Sequence, residues 1–237
     1  DLIDPDKIRR IGIAGGSLMG AYTYQKFVDT FPGAEWVDVE YDVCMLRAVK
    51  SEAEIEVIRY AYHIAQRGIE AAIDAIKDGA YEREVAAIVE YTIRMAGAEG
   101  TGVDTMVGSG ENACHVITRT SFRQMKEGDF VHLTVAPRYE GYHGAIARPI
   151  FIGDHNKEAQ KALLAAKKAH EECYAALRPG IEGREIEALA RRIMDEAGLE
   201  KYFQHTGMHS IGVMEFEPPF FGPTQDSVFQ EGMVVSL

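Results

Sequence analysis

The fold is decided by two stretches of 21 residues, GAYEREVAAIVEYTIRMAGAE at Gly79–Glu99 and GIEGREIEALARRIMDEAGLE at Gly180–Glu200. Aligned without gaps, they share seven identities: Gly79/Gly180, Arg83/Arg184, Glu84/Glu185, Ala87/Ala188, Ala96/Ala197, Gly97/Gly198 and Glu99/Glu200. Two unrelated amphipathic helices could also share residues, since Ala, Glu and Arg are good helix formers. The glycines at both edges argue against that alternative. A duplicated unit predicts pseudo-twofold symmetry, with strands of both copies in one sheet and a cleft between the halves.

The residues around the two copies predict the same order of elements twice. Ser51 and Glu54 form a capping-box pattern, so a long helix begins near Glu52 and keeps helical apolar periodicity as far as Gly79. Further helices are expected at about 82–96, 157–177 and 184–197, and strands at about 103–107, 129–136 and 146–152. We therefore expect an α+β fold built from two helix-helix-strand units.

The first 50 residues predict a separate, smaller piece. Apolar strands at Ile8–Ala14 and Trp36–Val39 flank a helix at Tyr22–Phe31, which is typical of a small α/β domain. We expect one domain at 1–50 and a second at 51–237. The chain opens on Asp1 and stops inside the apolar run Met233–Leu237, so we expect both ends to be cut from something longer.

Composition excludes several functional classes. The 25 Lys and Arg residues against 37 Asp and Glu residues give a net charge of -12, which repels a nucleic-acid backbone. Three cysteines without CxxC spacing fit neither a disulfide framework nor a cysteine zinc site, and a reducing cytoplasm suits them best. No apolar run approaches the roughly 20 residues that span a bilayer, and no leader is visible. We expect a soluble, cytoplasmic protein that binds neither nucleic acid nor membrane.

Histidines in two glycine-containing segments are candidates for proton transfer. His115 follows the loop Gly108–Asn112, whose flexible backbone could bring a side chain to the mouth of a cleft. Imidazole titrates near neutrality, which suits proton transfer, although a plain loop histidine is the alternative. His205 and His209 are four residues apart and could share a metal on a helix, but the intervening Gly207 favours strand or loop.

A hairpin and a pair of carboxylates offer further candidates. The segment 140–148 predicts a hairpin entering a strand, in which Tyr142 lies on one face and Arg148 could hold a carboxylate. A surface hairpin with an exposed arginine is the alternative. Glu215 and Glu217 lie on one face of an extended segment and could serve as acid and base, although solvated carboxylates are more common.

Taken together and in this order, these pieces resemble the pita-bread family of creatinase, aminopeptidase P, prolidase and methionine aminopeptidase. Gly108–His115 matches the loop that carries the family's proton-shuttling histidine, 207–212 matches its glycine-histidine signature, and Glu231–Val235 matches its closing strand. The resemblance covers nearly the whole chain. It implies a curved antiparallel sheet in a pita-bread fold, preceded at 1–50 by the tail of a creatinase-type amino-terminal domain. It also implies a homodimer.

Departures from the family pattern bear on the mechanism. Metal-dependent members carry an aspartate ligand on each strand of the central hairpin, and Thr134 and Ala145 stand at those positions here. Neither side chain holds a cation as a carboxylate does, so we expect no metal site and no cofactor. By the same resemblance, His209 stands at the histidine ligand and Phe216 at a second, substrate-side histidine. The glutamate of creatinase falls at Ala147, so its substrate is not carried over.

The resemblance and its departures predict a metal-independent, creatinase-like hydrolase. It would act on a C–N bond of a small guanidino, cyclic amidine or amide compound. The expected catalytic residues are His115, which would move the proton, and His209, which would position or polarise the substrate. The expected contacts to the small-molecule substrate are Tyr142, Arg148, Phe216 and Glu217. Two alternatives remain open: a divergent metallopeptidase of the Xaa-Pro aminopeptidase or dipeptidase type, and a catalytically inactive binding module.

Overall fold

A computed structural model describes residues 4–154, 156–204 and 208–237. The chain divides into two compact units, Asp1–Ala48 and Val49–Leu237. The second unit contains the duplicated stretches and the candidate catalytic residues. Among the described residues, no helix combines the length and apolar character that crossing a membrane requires.

The first unit is built on two parallel strands, β1 (Arg10–Ile13) and β2 (Glu35–Asp38). The helix α1 (Ala21–Thr30) connects them, as a parallel pair requires, and α2 (Glu40–Leu46) follows. The predicted strand-helix-strand order is therefore confirmed. Its assignment as the tail of a creatinase-type domain stays a prediction.

Two helices open the second unit. The long helix α3 (Glu52–Ala75) begins at the predicted capping box, in which the Ser51 backbone N–H donates to Glu54 Oε2 at 2.7 Å. Its buried face follows helical periodicity through Ile58, Ala61, Ile64, Ala65, Gly68, Ile69 and Ala72. The next helix, α4 (Glu82–Met95), packs against α3 and shares its hydrophobic core.

A three-stranded antiparallel sheet lies against these helices. After the short strand β3 (Gly100–Thr101), the chain forms β4 (Met106–Ser109) and β5 (Phe130–Val135), and β8 (Ile146–Phe151) completes the order β4-β5-β8. Alternate residues of β5 point to opposite faces. Val131, Leu133 and Val135 join the core with α3 and α4. Phe130, His132 and Thr134 are half-buried on the other side, called here the inner face.

A small hairpin joins the first half to the second. It consists of β6 (Pro137–Tyr139) and β7 (Tyr142–His143), and β6 also pairs with β3. The backbone N–H of His143 donates to Gly212 O at 2.8 Å, which links the hairpin to the second half. At Gly144 an added Cβ would lie 2.6 Å from Tyr62 N, so the chain there rests directly on α3.

The second half repeats the arrangement. Helices α5 (Lys157–Ala176) and α6 (Gly183–Glu196) precede an antiparallel sheet of order β10-β9-β11. Its strands are β9 (Met208–Ser210), β10 (Glu217–Phe221) and β11 (Val235–Ser236). The buried residues of its core are Cys173, Ile181, Ile186, Met208, Phe221 and Phe229.

Hydrogen bonds confirm the duplication residue by residue. Gly79 N donates to Met125 O, and its counterpart Gly180 N donates to Phe229 O. Both glycines have positive φ, 82° and 88°, which a residue with a side chain rarely adopts. Each copy then starts its helix with a capping box, built by Glu84 in the first copy and Glu185 in the second. The α+β fold predicted from the repeat is therefore correct, but in the described residues the strands of the two copies form separate sheets, β4-β5-β8 and β10-β9-β11, and not the single sheet that was expected.

Candidate active site

The inner face of β5 carries a hydrogen-bonded pair. His132 Nε2 lies 3.0 Å from Thr134 Oγ1, because residues two apart on a strand share a face. Burial lowers the pKa of His132, so its imidazole is neutral at physiological pH. Across the sheet, the register gives Met106 and Ala147 as partners of Thr134, and Gly108 and Pro149 as partners of His132.

The loop that carries His115 lies on the same face. The chain leaves β4 through a short 3-10 turn, Gly110–Cys114, and His115 follows it with an exposed side chain whose Nδ1 is 3.2 Å from Asn112 O. Thr118 then packs on Gly108, where an added Cβ would lie only 2.1 Å from Thr118 Cγ2. Because Gly108 is the cross-strand neighbour of His132, the His115 loop borders the His132–Thr134 pair.

A fully buried carboxylate holds this loop in place. Glu82, at the start of α4, is 0% exposed and accepts hydrogen bonds from both ends of the loop. The donors are the backbone N and Oγ of Ser109, Nδ2 of Asn112, and the backbone N and Oγ of Ser121. Burial acts to raise the pKa of Glu82, but hydrogen bonds from Ser121 and Ser109 outweigh it and the pKa is lowered. Glu82 is therefore a charged anchor for the His115 loop.

An ion pair between Arg123 and Asp129 also supports this loop. Arg123 donates to both oxygens of Asp129, at 2.5 and 3.0 Å, and to Ser109 Oγ at 2.6 Å. Asp129 also accepts from Lys126 N at 2.8 Å. Burial opposes the charged form of Asp129, yet the hydrogen bond from Arg123 lowers its pKa overall. Ser109 is thus held by both carboxylate systems.

The second candidate histidine belongs to an aromatic cluster in the other half. His209 is buried on β9, with Nδ1 2.9 Å from Ser210 O. Its neighbour Met208 joins the core beneath α5 and α6, so His209 points to the opposite side of the sheet. The His209 ring lies 4.6 Å from that of Phe216, which stacks on Phe220 at 4.7 Å. Phe216 is 49% exposed and presents an apolar surface.

Glu217 has a different setting from the predicted substrate contact. Its side chain is 0% exposed and forms an ion pair with Lys50 Nζ at 3.2 Å, while Met214 N donates to its other oxygen. Glu215 instead packs at Gly102, where an added Cβ would lie 2.5 Å from the Glu215 Cβ. The Glu217 carboxylate of the predicted acid-base pair is therefore engaged by Lys50 and by the Met214 backbone.

Tyr142 and Arg148 also face away from the inner face. Tyr142 OH donates to Glu54 Oε1 at 2.9 Å, at the start of α3. Arg148 is the cross-strand partner of Leu133, so the register places it on the helix-facing side of the sheet, where its guanidinium donates to Ala147 O at 2.7 Å. The structure therefore does not bring these two predicted substrate contacts to the His132–Thr134 pair.

The donor set does not fit the family's metal. Thr134 offers a hydroxyl that already contacts His132, and Ala145 offers no side-chain donor, which leaves His209 alone among the three predicted ligand positions. Within 4–154, 156–204 and 208–237, no group of three or more His, Cys, Asp or Glu side chains could hold a metal ion. The predicted His205–His209 pairing rests on His205, which lies outside the described residues.

Sequence reasoning missed four residues that shape these sites: Glu82, His132, Lys50 and Phe220. His132 had a usable signal, because strand alternation places it on the same face as Thr134. Glu82 had none, since an acidic residue in a first helical turn is ordinary. The partners Lys50 and Glu217 are 167 residues apart, so only the folded chain joins them.

Comparison with known proteins supports the same fold. Metallopeptidase family M24 matches residues 56–237. The chain is 34% identical over 192 residues to a Xaa-Pro dipeptidase of Pyrococcus horikoshii, covering 81% of this chain and 55% of that protein. It resembles the crystallised prolidase from Pyrococcus furiosus, with a TM-score of 0.89, 31% identity, and coverage of 96% of this chain and 66% of that one.

A third relative extends this likeness. The X-Pro aminopeptidase from Thermotoga maritima matches with a TM-score of 0.85 and 28% identity over 97% of this chain and 65% of that one. The chain spans about half the length of the curated dipeptidase it matches, 55%. These relatives favour the Xaa-Pro alternative over the creatinase-like main prediction. The predicted pita-bread resemblance is confirmed: the chain belongs to metallopeptidase family M24.

Proposed function

We propose that this protein hydrolyses the C–N bond of a short peptide of the Xaa-Pro type. The observation that carries the proposal is the His115 loop, which Glu82 anchors beside the inner face of a sheet that matches prolidases. Relatives named as Xaa-Pro dipeptidase and X-Pro aminopeptidase support the bond type. This substrate replaces the guanidino or amidine compound of the main sequence prediction.

His115 is the proposed proton donor to the departing nitrogen. Its side chain is exposed, so it can exchange protons with solvent between turnovers. The hydrogen bonds of Glu82 to Ser109 and Ser121 fix both ends of its loop, which limits the positions that the imidazole can sample. A general acid in a fixed position typically contributes a rate factor of about 10²–10⁴.

His209, Phe216 and Phe220 form the proposed apolar wall. The stacked phenyl rings and the adjacent imidazole present a continuous aromatic surface. Such a surface suits an apolar ring or side chain next to the scissile bond rather than a charged one. Glu217 would position this wall rather than contact the substrate, because its ion pair with Lys50 fixes the strand that follows Phe216.

The reaction is proposed to proceed without a metal held at positions 134 and 145. Thr134 and Ala145 lack the carboxylates that hard and borderline cations require, which supports catalysis by histidine side chains. A metal-dependent peptidase of the same Xaa-Pro type is the second candidate. The family name and its Xaa-Pro relatives favour it, and it would need metal ligands from outside the described residues.

One experiment separates the two candidates. The intact protein is purified, its Mn, Co, Zn and Fe content is measured, and a panel of Xaa-Pro dipeptides, guanidino compounds and amidines is assayed with and without a chelator. We expect cleavage of Xaa-Pro dipeptides that survives chelation and is lost by about 10²-fold or more in His115→Ala. Stoichiometric metal and loss of activity on chelation would establish the second candidate. Cleavage of guanidino compounds alone would restore the creatinase-like prediction.

The remaining organisation is also a proposal. We propose that residues 1–50 belong to a creatinase-type amino-terminal domain and that the protein is a homodimer. The mass of the purified protein by light scattering tests the second point, and a monomer at micromolar concentration would contradict it. Its cytoplasmic location stays a prediction.

A further inference from the structure

The inner face of β5 carries two polar groups where the resemblance implies one carboxylate. Thr134 stands at the position of the family's first aspartate, and His132, two residues earlier, contacts its hydroxyl at 3.0 Å. Both side chains are half-buried, so they are accessible to a small molecule yet partly shielded from water. The cross-strand neighbours of this pair, Met106, Gly108, Ala147 and Pro149, offer no side-chain proton donor or charge.

The electrostatic setting favours His132 as a proton acceptor. Desolvation is the cause that lowers its pKa, which keeps the imidazole neutral near pH 7. A neutral imidazole has one ring nitrogen free to accept a hydrogen bond. With Nε2 as that acceptor, the Thr134 hydroxyl donates to His132 and keeps its own lone pairs available to accept a proton. This is the arrangement of a general base that acts through a hydroxyl.

The neighbouring loop completes the site. Thr118 packs on Gly108 beside His132, and its hydroxyl donates to Asn112 O at 2.6 Å and to His115 O at 3.2 Å. Thr118 therefore both binds the His115 backbone and covers β4 next to His132. Two histidines thus border one small region of the sheet, one half-buried and one exposed.

We propose that His132 and Thr134 act together as the general base of the active site. They would activate the hydrolytic water in place of the metal and aspartate of the relatives. This inference rests on the proposed function. In the step, the water O–H bond breaks, its oxygen bonds to the scissile carbonyl carbon, and the C=O π bond opens to an oxyanion. The water proton passes to Thr134 Oγ1 as the hydroxyl proton of Thr134 passes to His132 Nε2. The oxyanion re-forms the C=O bond as the C–N bond breaks, and the leaving nitrogen takes a proton from the imidazolium form of His115. Proton exchange with solvent then resets both histidines.

A purely structural role is the competing explanation. A histidine and a threonine on one strand face can form a hydrogen bond that only stabilises the sheet. Thr134→Val distinguishes the two, because valine has nearly the same shape, is β-branched and suits a strand, yet cannot relay a proton. Thr134→Ser keeps the hydroxyl. Thr92→Val and His63→Gln, on the helices α4 and α3, are the matched controls.

The experiment measures kcat and KM of the intact protein for a cleaved Xaa-Pro dipeptide. We expect kcat to fall about 10²-fold or more in Thr134→Val and His132→Gln, with KM nearly unchanged, and within about tenfold of wild type in Thr134→Ser. The controls should match wild type. Wild-type kcat in a folded Thr134→Val variant overturns the inference while leaving the proposed function intact. A wild-type protein that cleaves no member of the panel overturns both.

Histidine nitrogen spectra give a second readout that does not depend on activity. In ¹⁵N-labelled protein we expect His132, assigned through His132→Gln, to carry its proton on Nδ1 and to leave Nε2 unprotonated near pH 7. Thr134→Val should shift the Nε2 signal, and Thr134→Ser should restore it. A proton on Nε2 in the wild type would make His132 the donor to Thr134 and would overturn the proposed direction of proton transfer.

Discussion

Glu82 and Gly183 occupy equivalent positions at the starts of α4 and α6, and the backbone N–H of each donates to a returning segment, at 3.1 and 2.9 Å. Their surroundings differ. Glu82 binds the polar loop that carries His115, whereas Gly183 lies against Phe221, which stacks on Phe229 with ring centroids 4.0 Å apart. In the first copy this position thus holds the loop that carries His115, and in the second copy it packs into the core. Duplication preserved the backbone and left the side chains free to diverge.

Removal of the Glu82 carboxylate should have the largest effect. Glu82→Ala leaves the buried amide and hydroxyl donors of Ser109 and Ser121 without an acceptor, and each orphaned group costs about 1–3 kcal/mol. We expect the free energy of unfolding, measured by urea denaturation, to fall by about 3–5 kcal/mol. We also expect hydrolysis to be lost, because the loop that carries His115 is no longer held in place. Glu82→Gln, which keeps one acceptor oxygen, should lose less. Equal losses in both variants would contradict the anchoring role.

A substitution at the equivalent position of the second copy, Gly183, should lower the free energy of unfolding by less and should leave kcat unchanged. In Gly183→Ala the new Cβ would lie 2.7 Å from the Cβ of Phe221, so the core must shift. Overpacking of this kind costs about 1–3 kcal/mol. We expect reduced unfolding free energy with kcat of the folded enzyme unchanged. Gly33→Ala, where no atom lies within 4 Å of the added Cβ, is the control. A large loss of kcat in Gly183→Ala would show that the second copy also controls the site.

Acid should lower the stability of the first copy of the repeat more than that of the second. The pKa of Glu82 is lowered from its ordinary 4.5 in the folded protein, so its stabilisation is fully present above pH 4.5. That stabilisation is lost as the pH falls through the lowered folded value. We expect the stability difference between wild type and Glu82→Gln to shrink as the pH falls below 4.5. Hydrogen exchange should show the loop 109–121 opening first; earlier opening at 180–200 would contradict this.

The smallest effect concerns the aromatic wall in the second half. Phe216→Ala removes the ring between His209 and Phe220 without disturbing a buried core, since Phe216 is 49% exposed. An aromatic contact of this type contributes about 0.5–1.5 kcal/mol, so we expect KM for Xaa-Pro dipeptides to rise about 2–10-fold with kcat nearly constant. Phe27→Ala on α1, where the ring is 45% exposed, is the control. An unchanged KM would remove Phe216 from the substrate wall.

The predicted site residues fared differently for identifiable reasons. The His115 loop was recognisable because a glycine-rich turn before a histidine is a local pattern. The face of the sheet on which Arg148 lies could not be predicted, because it depends on the register that pairs it with Leu133. Glu217 was predicted to contact the substrate, whereas its carboxylate forms an ion pair with Lys50, 167 positions away in the chain. The local sequence shows how residues are spaced along the chain, whereas the burial of a side chain depends on distant segments that pack over it.

The sequence by itself determined the duplication, the approximate boundaries of the helices α3 to α6, and the family. Capping boxes, glycine positions and apolar periodicity act over a few residues, so they can be read from the sequence without the fold. Only the tertiary structure decided that Glu82 anchors the His115 loop and that His132 meets Thr134 on the inner face. Those contacts depend on which strands pair and in what register. The repeat therefore predicts the scaffold, and the packing of its two unlike halves decides where the chemistry can occur.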